Sequence, residues 1–156
     1  MWTTSSAFGE LVGPMTNISF YVLKDTSLDA RLQFAIKFVR QFWRKGFDIH
    51  CHVNSSDHAS DLDHLMWADR ESFIPHEIQI SDKPITKSTV GIGWRNPPDR
   101  SGILVNLDNK LPDWFPHFDH LVEIVVQEPT ILNSTRETWR NLAFKGYPIK
   151  KYDLNT

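Results

Sequence analysis

A single cysteine, Cys51, stands in the 156-residue chain, so no intrachain disulfide framework is available. Glycine is scarce as well, seven residues beside nine prolines, which excludes collagen-like and low-complexity architectures. No apolar run approaches the roughly eighteen residues of a membrane-spanning helix, and residues 1–6 carry neither the basic nor the apolar region of a secretory signal. These absences lead to the expectation of a reduced, cytoplasmic protein. Catalytic signatures are missing too. The turn after the first apolar run, Leu23-Lys24-Asp25-Thr26-Ser27-Leu28, contains no glycine, so it forms neither a phosphate-cradling loop nor a dinucleotide-binding turn. Neither H-E-x-x-H nor G-x-S-x-G occurs.

What is present is apolar bulk. Hydrophobic residues make up 40% of the chain, with six Trp and ten Phe, against 23% charged residues, enough to close one substantial core. Residues 1–17 contain Gly9, Gly13 and Pro14 without periodicity and are expected to form a poorly ordered tail. Residues 18–156 are expected to form a single α/β domain.

The net charge of −2 hides an asymmetry. Between residues 48 and 82, eight acidic residues (Asp48, Asp57, Asp61, Asp63, Asp69, Glu71, Glu77, Asp82) face one base, Arg70. From Thr130 onward, five bases (Arg136, Arg140, Lys145, Lys150, Lys151) face two acids, Glu137 and Asp153. The middle should repel nucleic acid, which argues against direct binding of single-stranded DNA by the aromatics. An anionic partner should seek the C-terminal part.

Residues 18–23 are β-branched and aromatic and predict a buried strand. Ser27 supplies an N-cap for a helix whose Leu28, Leu32, Ala35, Ile36, Val39, Phe42 and Trp43 recur at three- and four-residue spacing, with Gly46 beyond its end. A strand over 47–53 follows, then a helix capped within 54–57 that turns Leu62, Leu65 and Met66 inward. The stretch 67–75 lacks a period and is expected to be loop, ending at Ile74-Pro75. Strands are expected over 90–94 and 103–107, a short helix over 114–120, a strand over 121–126, and a last helix over 133–144 stopped by Gly146. Strands alternating with helices predict a mainly parallel sheet covered on both faces. Gly91 and Gly93, inside a strand pattern, point to close backbone packing.

Two constellations can carry chemistry. His50 and His52, two apart on a strand, share a face, with Asp57, His58, Asp61, Asp63 and His64 following. Paired imidazoles beside carboxylates suit zinc or iron, and the enzyme reading they permit is a small metal-dependent hydrolase. The spacing matches no metallo-hydrolase signature, and the six-residue step from His58 to His64 leaves their directions roughly 120 degrees apart on a helix. The other constellation is Arg136, Trp139 and Arg140, at i, i+3 and i+4 on one helix face. An Arg fork beside an indole is a receptor for a carboxylate joined to an apolar group. Trp67 and Phe73, near a charged stretch, read either as caps on the core or as a docking surface. His117-Phe118-Asp119-His120 reads as surface.

Read in order, Phe20-Tyr21-Val22-Leu23, Leu62 and Leu65 leading to Trp67-Ala68, Ser72-Phe73-Ile74-Pro75-His76, residues 103–107, Glu123-Ile124-Val125, Arg136-Glu137, Trp139-Arg140 and Lys145-Gly146-Tyr147-Pro148 resemble the chi subunit of bacterial DNA polymerase III. The resemblance covers nearly everything after residue 18. It implies a three-layer α/β/α sandwich with a mainly parallel mixed sheet, Rossmann-like but without a nucleotide-binding loop. It further implies a non-catalytic adaptor with no cofactor, no metal site, no membrane and only indirect contact with DNA. The family's chi joins the psi subunit, which tethers it to the clamp loader, and grips the acidic C-terminal tail of single-stranded DNA-binding protein. By that similarity Trp67, Phe73, Pro75 and His76 lie at the psi surface. Arg136, Trp139, Arg140, Lys145 and Val125 would serve the tail, the first by pairing with its terminal carboxylate. Two departures stand out: Leu132 takes a place one turn before Arg136 that is commonly basic, and residues 77–83 replace a glycine-rich stretch.

Overall fold

The computed structural model describes residues 15–68, 73–80, 86, 88–95 and 97–154. In chain order these form β1 (Asn17–Val22), α1 (Leu28–Arg44), β2 (Ile49–His52), α2 (Ser56–Ala68), β3 (His76–Ile78), β4 (Val90–Gly93) and β5 (Ile103–Asn106). A 3₁₀ turn at Phe115–His117, β6 (His120–Val125), α3 (Pro129–Phe144) and β7 (Ile149–Asp153) complete them. The seven strands make one sheet in the order β3-β4-β2-β5-β6-β1-β7, and every pairing among them is parallel. The mixed character expected of the sheet is therefore absent from the described strands.

The chain runs leftward from β1 through α1 to β2 and through α2 to β3, then rightward from β4 to β7. Right-handed crossovers accordingly put α1 and α2 on one face, where they touch each other, and the 3₁₀ turn and α3 on the other. Side-chain alternation agrees. On β1, Phe20 packs against Trp139 of α3, whereas its neighbour Tyr21 packs on Phe34 and Phe38 of α1. This is the three-layer α/β/α arrangement, with a core of buried Ile, Val, Leu and Phe on both faces.

Local chemistry explains the elements. Ser27 accepts from the Ala30 amide at 3.1 Å, Asp29 and Arg44 complement the helix dipole, and Gly46 leaves α1 at φ +93°. The buried stripe of α1 is Arg31, Ala35, Ile36, Phe38 and Val39, with Leu32, Phe42 and Trp43 half-buried beside it. Leu28, expected on that stripe, is 58% exposed at the first position of the helix. Arg31 instead enters the core, its guanidinium donating to the carbonyls of Ile124 at 2.8 Å and Leu107 at 3.2 Å. Gly93 confirms the close packing expected there, since a Cβ would stand 3.2 Å from the His50 ring.

Several boundaries differ from expectation. Asn17 already belongs to β1, and buried Thr16 donates its hydroxyl to the Phe118 carbonyl at 2.7 Å; residues 1–14 of the expected tail lie outside the described residues. Trp67 and Ala68, expected in a loop, form the last turn of α2, and residues 69–72 lie outside the described residues. Helix α3 starts four residues earlier than expected, because Glu128 accepts from the Ile131 amide at 3.0 Å and Pro129 fits the first helical position. The helix expected over 114–120 is a single 3₁₀ turn, with His120 already opening β6. Strands β3 and β7 add a pairing at each edge of the sheet. Among the described residues no helix is long and apolar enough to cross a membrane.

Candidate functional site

Near the β7 edge, α3 packs on its face of the sheet and leaves a cavity of about 330 Å³. Its lining is Phe20 and Val22 from β1, Thr135, Arg136, Trp139 and Arg140 from α3, and Lys151 from β7. The floor is apolar: Phe20 is buried, and the half-buried Trp139 ring tilts over it with centroids 4.9 Å apart. The rim carries three cations and no acidic residue. Arg136 is exposed, its one side-chain hydrogen bond among the described residues a long 3.5 Å contact to Asn133 Oδ1, so most of its fork is open to a ligand. An apolar slot beside a guanidinium suits a carboxylate carried on an aromatic or aliphatic group.

Of the residues expected to serve a tail, the cavity gathers Arg136, Trp139 and Arg140. Val125 is buried in β6 as the register partner of Val22 and is not part of the lining. Lys145 caps the C-terminus of α3 and lines a separate cavity of about 550 Å³ with Lys110, Phe115 and Tyr147. Sequence reasoning missed Phe20, Val22, Thr135 and Lys151. A signal for Lys151 existed in the extended-prone Ile149-Lys150-Lys151-Tyr152 run after Pro148.

At the opposite edge, Trp67 and Phe73 are 55% and 62% exposed, with ring centroids 5.5 Å apart. His76 opens β3 beneath them, 4.8 Å from the Trp67 ring. Its Nδ1 lies 2.7 Å from the Ile74 carbonyl, which fixes that side of the ring, and its Nε2 stands 2.9 Å from Asp63 Oδ1. Pro75 is half-buried and Ile74 fully buried, which anchors the segment while leaving Phe73 outside. The structure thus brings Trp67, Phe73, Pro75 and His76 together as an exposed aromatic patch over an anchored base.

A family model described as DNA polymerase III chi subunit, HolC, matches residues 15–150. The chain belongs to the DNA polymerase III chi subunit family. The chi subunit of Pseudomonas aeruginosa is 33% identical over 142 residues, covering 90% of this chain and 98% of that protein. The chi subunit of Escherichia coli is 29% identical over 149 residues, covering 91% and 97%. That of Haemophilus influenzae is 24% identical over 133 residues, covering 83% and 92%.

The histidines of this chi-family chain do not assemble as a metal centre would require. His50 and His52 point to the α3 side of the sheet, where their rings lie against Trp114 at 6.1 and 5.4 Å. His58 and His64 stand exposed on α2, across the sheet. Among the described residues no group of three or more His, Cys, Asp or Glu side chains is placed to hold a metal ion. Burial pushes His50 down to about 3, with help from neighbouring His52 and Arg100, so it is a neutral core residue at physiological pH. Burial likewise pushes the Cys51 thiol up to about 12. Further along the same face, the buried Glu123 carboxyl accepts from Asn106 Nδ2 at 2.9 Å, and burial raises it to about 7.

Proposed function

We propose that this chi-family chain is a non-catalytic accessory protein of DNA replication, linking the clamp loader to single-stranded DNA-binding protein. It joins the clamp loader through a psi subunit and holds the acidic C-terminal tail of single-stranded DNA-binding protein. The observation that carries this reading is the cationic-rimmed apolar cavity of α3, β1 and β7, within a chain of chi family membership. Arg136 pairs with the terminal carboxylate of the tail, while Trp139 and Phe20 receive its terminal aromatic side chain. Arg140 and Lys145 attract the aspartates that precede it. The Trp67 and Phe73 patch docks psi, with Pro75 and His76 holding its base. On this reading the protein works in the cytoplasm, needs no cofactor and meets DNA only through its partners.

The test is calorimetric titration of the whole protein with a peptide of the acidic tail, beside the same peptide lacking its terminal Phe, at low and moderate salt. Micromolar binding that needs the terminal Phe and weakens with salt is expected. Equal affinity for both peptides, or no binding of either, overturns the assignment of the cavity.

A further inference from the structure

The cavity is lined on one side by the edge strand β7, and that strand contributes a cation the helix does not. Resting on the function just proposed, we infer that Lys151 is a specificity-determining residue of this site: its ammonium receives side-chain carboxylates of the acidic run before the ligand's terminal residue, replacing Asp153. Four observations lead there. First, Lys151 is the register partner of Phe20, and paired residues of parallel strands point to the same face. Phe20 faces Trp139, whereas Tyr152 faces the other way, stacked on Tyr21 at 4.9 Å, so Lys151 turns toward α3 and its stem runs along the cavity wall.

Second, Lys151 already holds a carboxylate in the unbound protein. Its Nζ lies 3.5 Å from Asp153 Oδ1, and with side chains 53% and 68% exposed this pair is solvent-screened and easily exchanged. Third, the position one turn before Arg136 is occupied by half-buried Leu132, so the N-terminal part of α3 offers no second cation. The strand provides it from the opposite wall. Fourth, the two cations suit different anions. The planar fork of Arg136 matches a fixed terminal carboxylate, while a lysine ammonium on a flexible stem matches carboxylates that come at several positions along an extended chain.

The proposal separates two substitutions by sign. Titrating the whole protein at low salt with an acidic peptide ending in Phe, Lys151→Ala should weaken binding about threefold and Asp153→Asn should tighten it about twofold. Both effects should vanish when the acidic residues of the peptide are replaced by Asn and Gln with the terminal Phe kept, and at about 0.5 M salt. Unchanged affinity in both variants, with the wild-type protein still binding, overturns the role of Lys151 and leaves the cavity assignment standing. A Lys151→Ala effect that persists on the neutral peptide also overturns it, because the side chain would then act by packing. If the wild-type protein binds neither peptide, the proposed function fails and this assignment falls with it.

Discussion

On the proposed reading, the two edges of the sheet solve different recognition problems with aromatic residues. At β3 the aromatics stand outside the surface, Trp67 and Phe73 more than half exposed and tilted against each other. In the cavity on the α3 side of β7 the aromatics are recessed, Phe20 fully buried and Trp139 half-buried, and the exposed side chains of the rim are Arg136, Arg140 and Lys151. Protruding rings fit into a partner's pocket and gain their energy from desolvated area. A recessed slot with cations reads the end of a chain, and much of its attraction is screened by salt. Six strand spacings of ~4.8 Å put the edges about 29 Å apart, so both can be occupied at once.

The comparison can be broken by substitution. Arg136→Ala should lose a charge-assisted pair of about 1.5–3 kcal/mol, roughly ten- to hundredfold in tail affinity by calorimetry, with psi association unchanged. Trp67→Ala should cost about 2 kcal/mol, roughly thirtyfold, in psi binding measured by co-purification and titration, and leave tail binding alone. Loss of both activities in either variant would mean that the edges are not independent.

The sheet centre between them should answer to pH rather than to partners. Glu123 is raised to about 7 when folded, above its ordinary 4.5, so the folded state holds the extra proton and stability falls as pH rises from about 4.5 through 7. His50, lowered to about 3 from 6.5, contributes stability that is present above 6.5 and lost as pH falls toward 3. The opposing slopes overlap between roughly 4.5 and 6.5, which predicts a plateau of stability there in urea titrations, with a decline on the order of 1 kcal/mol above it. Glu123→Gln should abolish the decline between about pH 6.5 and 7 without altering tail affinity at fixed pH. The smallest effect belongs to the rim: Arg140→Ala should weaken tail binding only about twofold, mainly through the association rate, and lose that effect at high salt.

How much of this was legible in the sequence follows from how local each feature is. Helix α1 announced itself through Ser27, a core-facing repeat and Gly46, all within twenty residues. The helical half of the cavity was equally visible, since Arg136, Trp139 and Arg140 stand at helix-neighbour spacing. The strand half was not. Phe20, Val22 and Lys151 meet only because β1 pairs with β7 across most of the chain's length, and nothing local records that register. Edge strands are also the weakest signals in a pattern: of the residues of β7 only Ile149 is partly buried, so no apolar alternation survives. The start of α3 was hidden because a proline and a glutamate, helix-starting at Pro129 and Glu128, read as loop when taken singly. The metal reading failed for a related reason. His50 and His52 share a strand face as expected, but the crossover that puts α2 behind the sheet separates them from the acidic helix that follows.

The pairing of β1 with β7 has a bearing on synthesis. The floor of the cavity emerges first and its outer wall last, from residues around 20 and 151. A polypeptide that stops short of Ile149 carries Arg136, Trp139 and Arg140 on a complete helix, yet has no strand to lay beside Phe20 and Val22. A nascent or clipped chain is therefore without the finished cavity. On the proposed reading, capture of an acidic terminus waits until β1 and β7 have met.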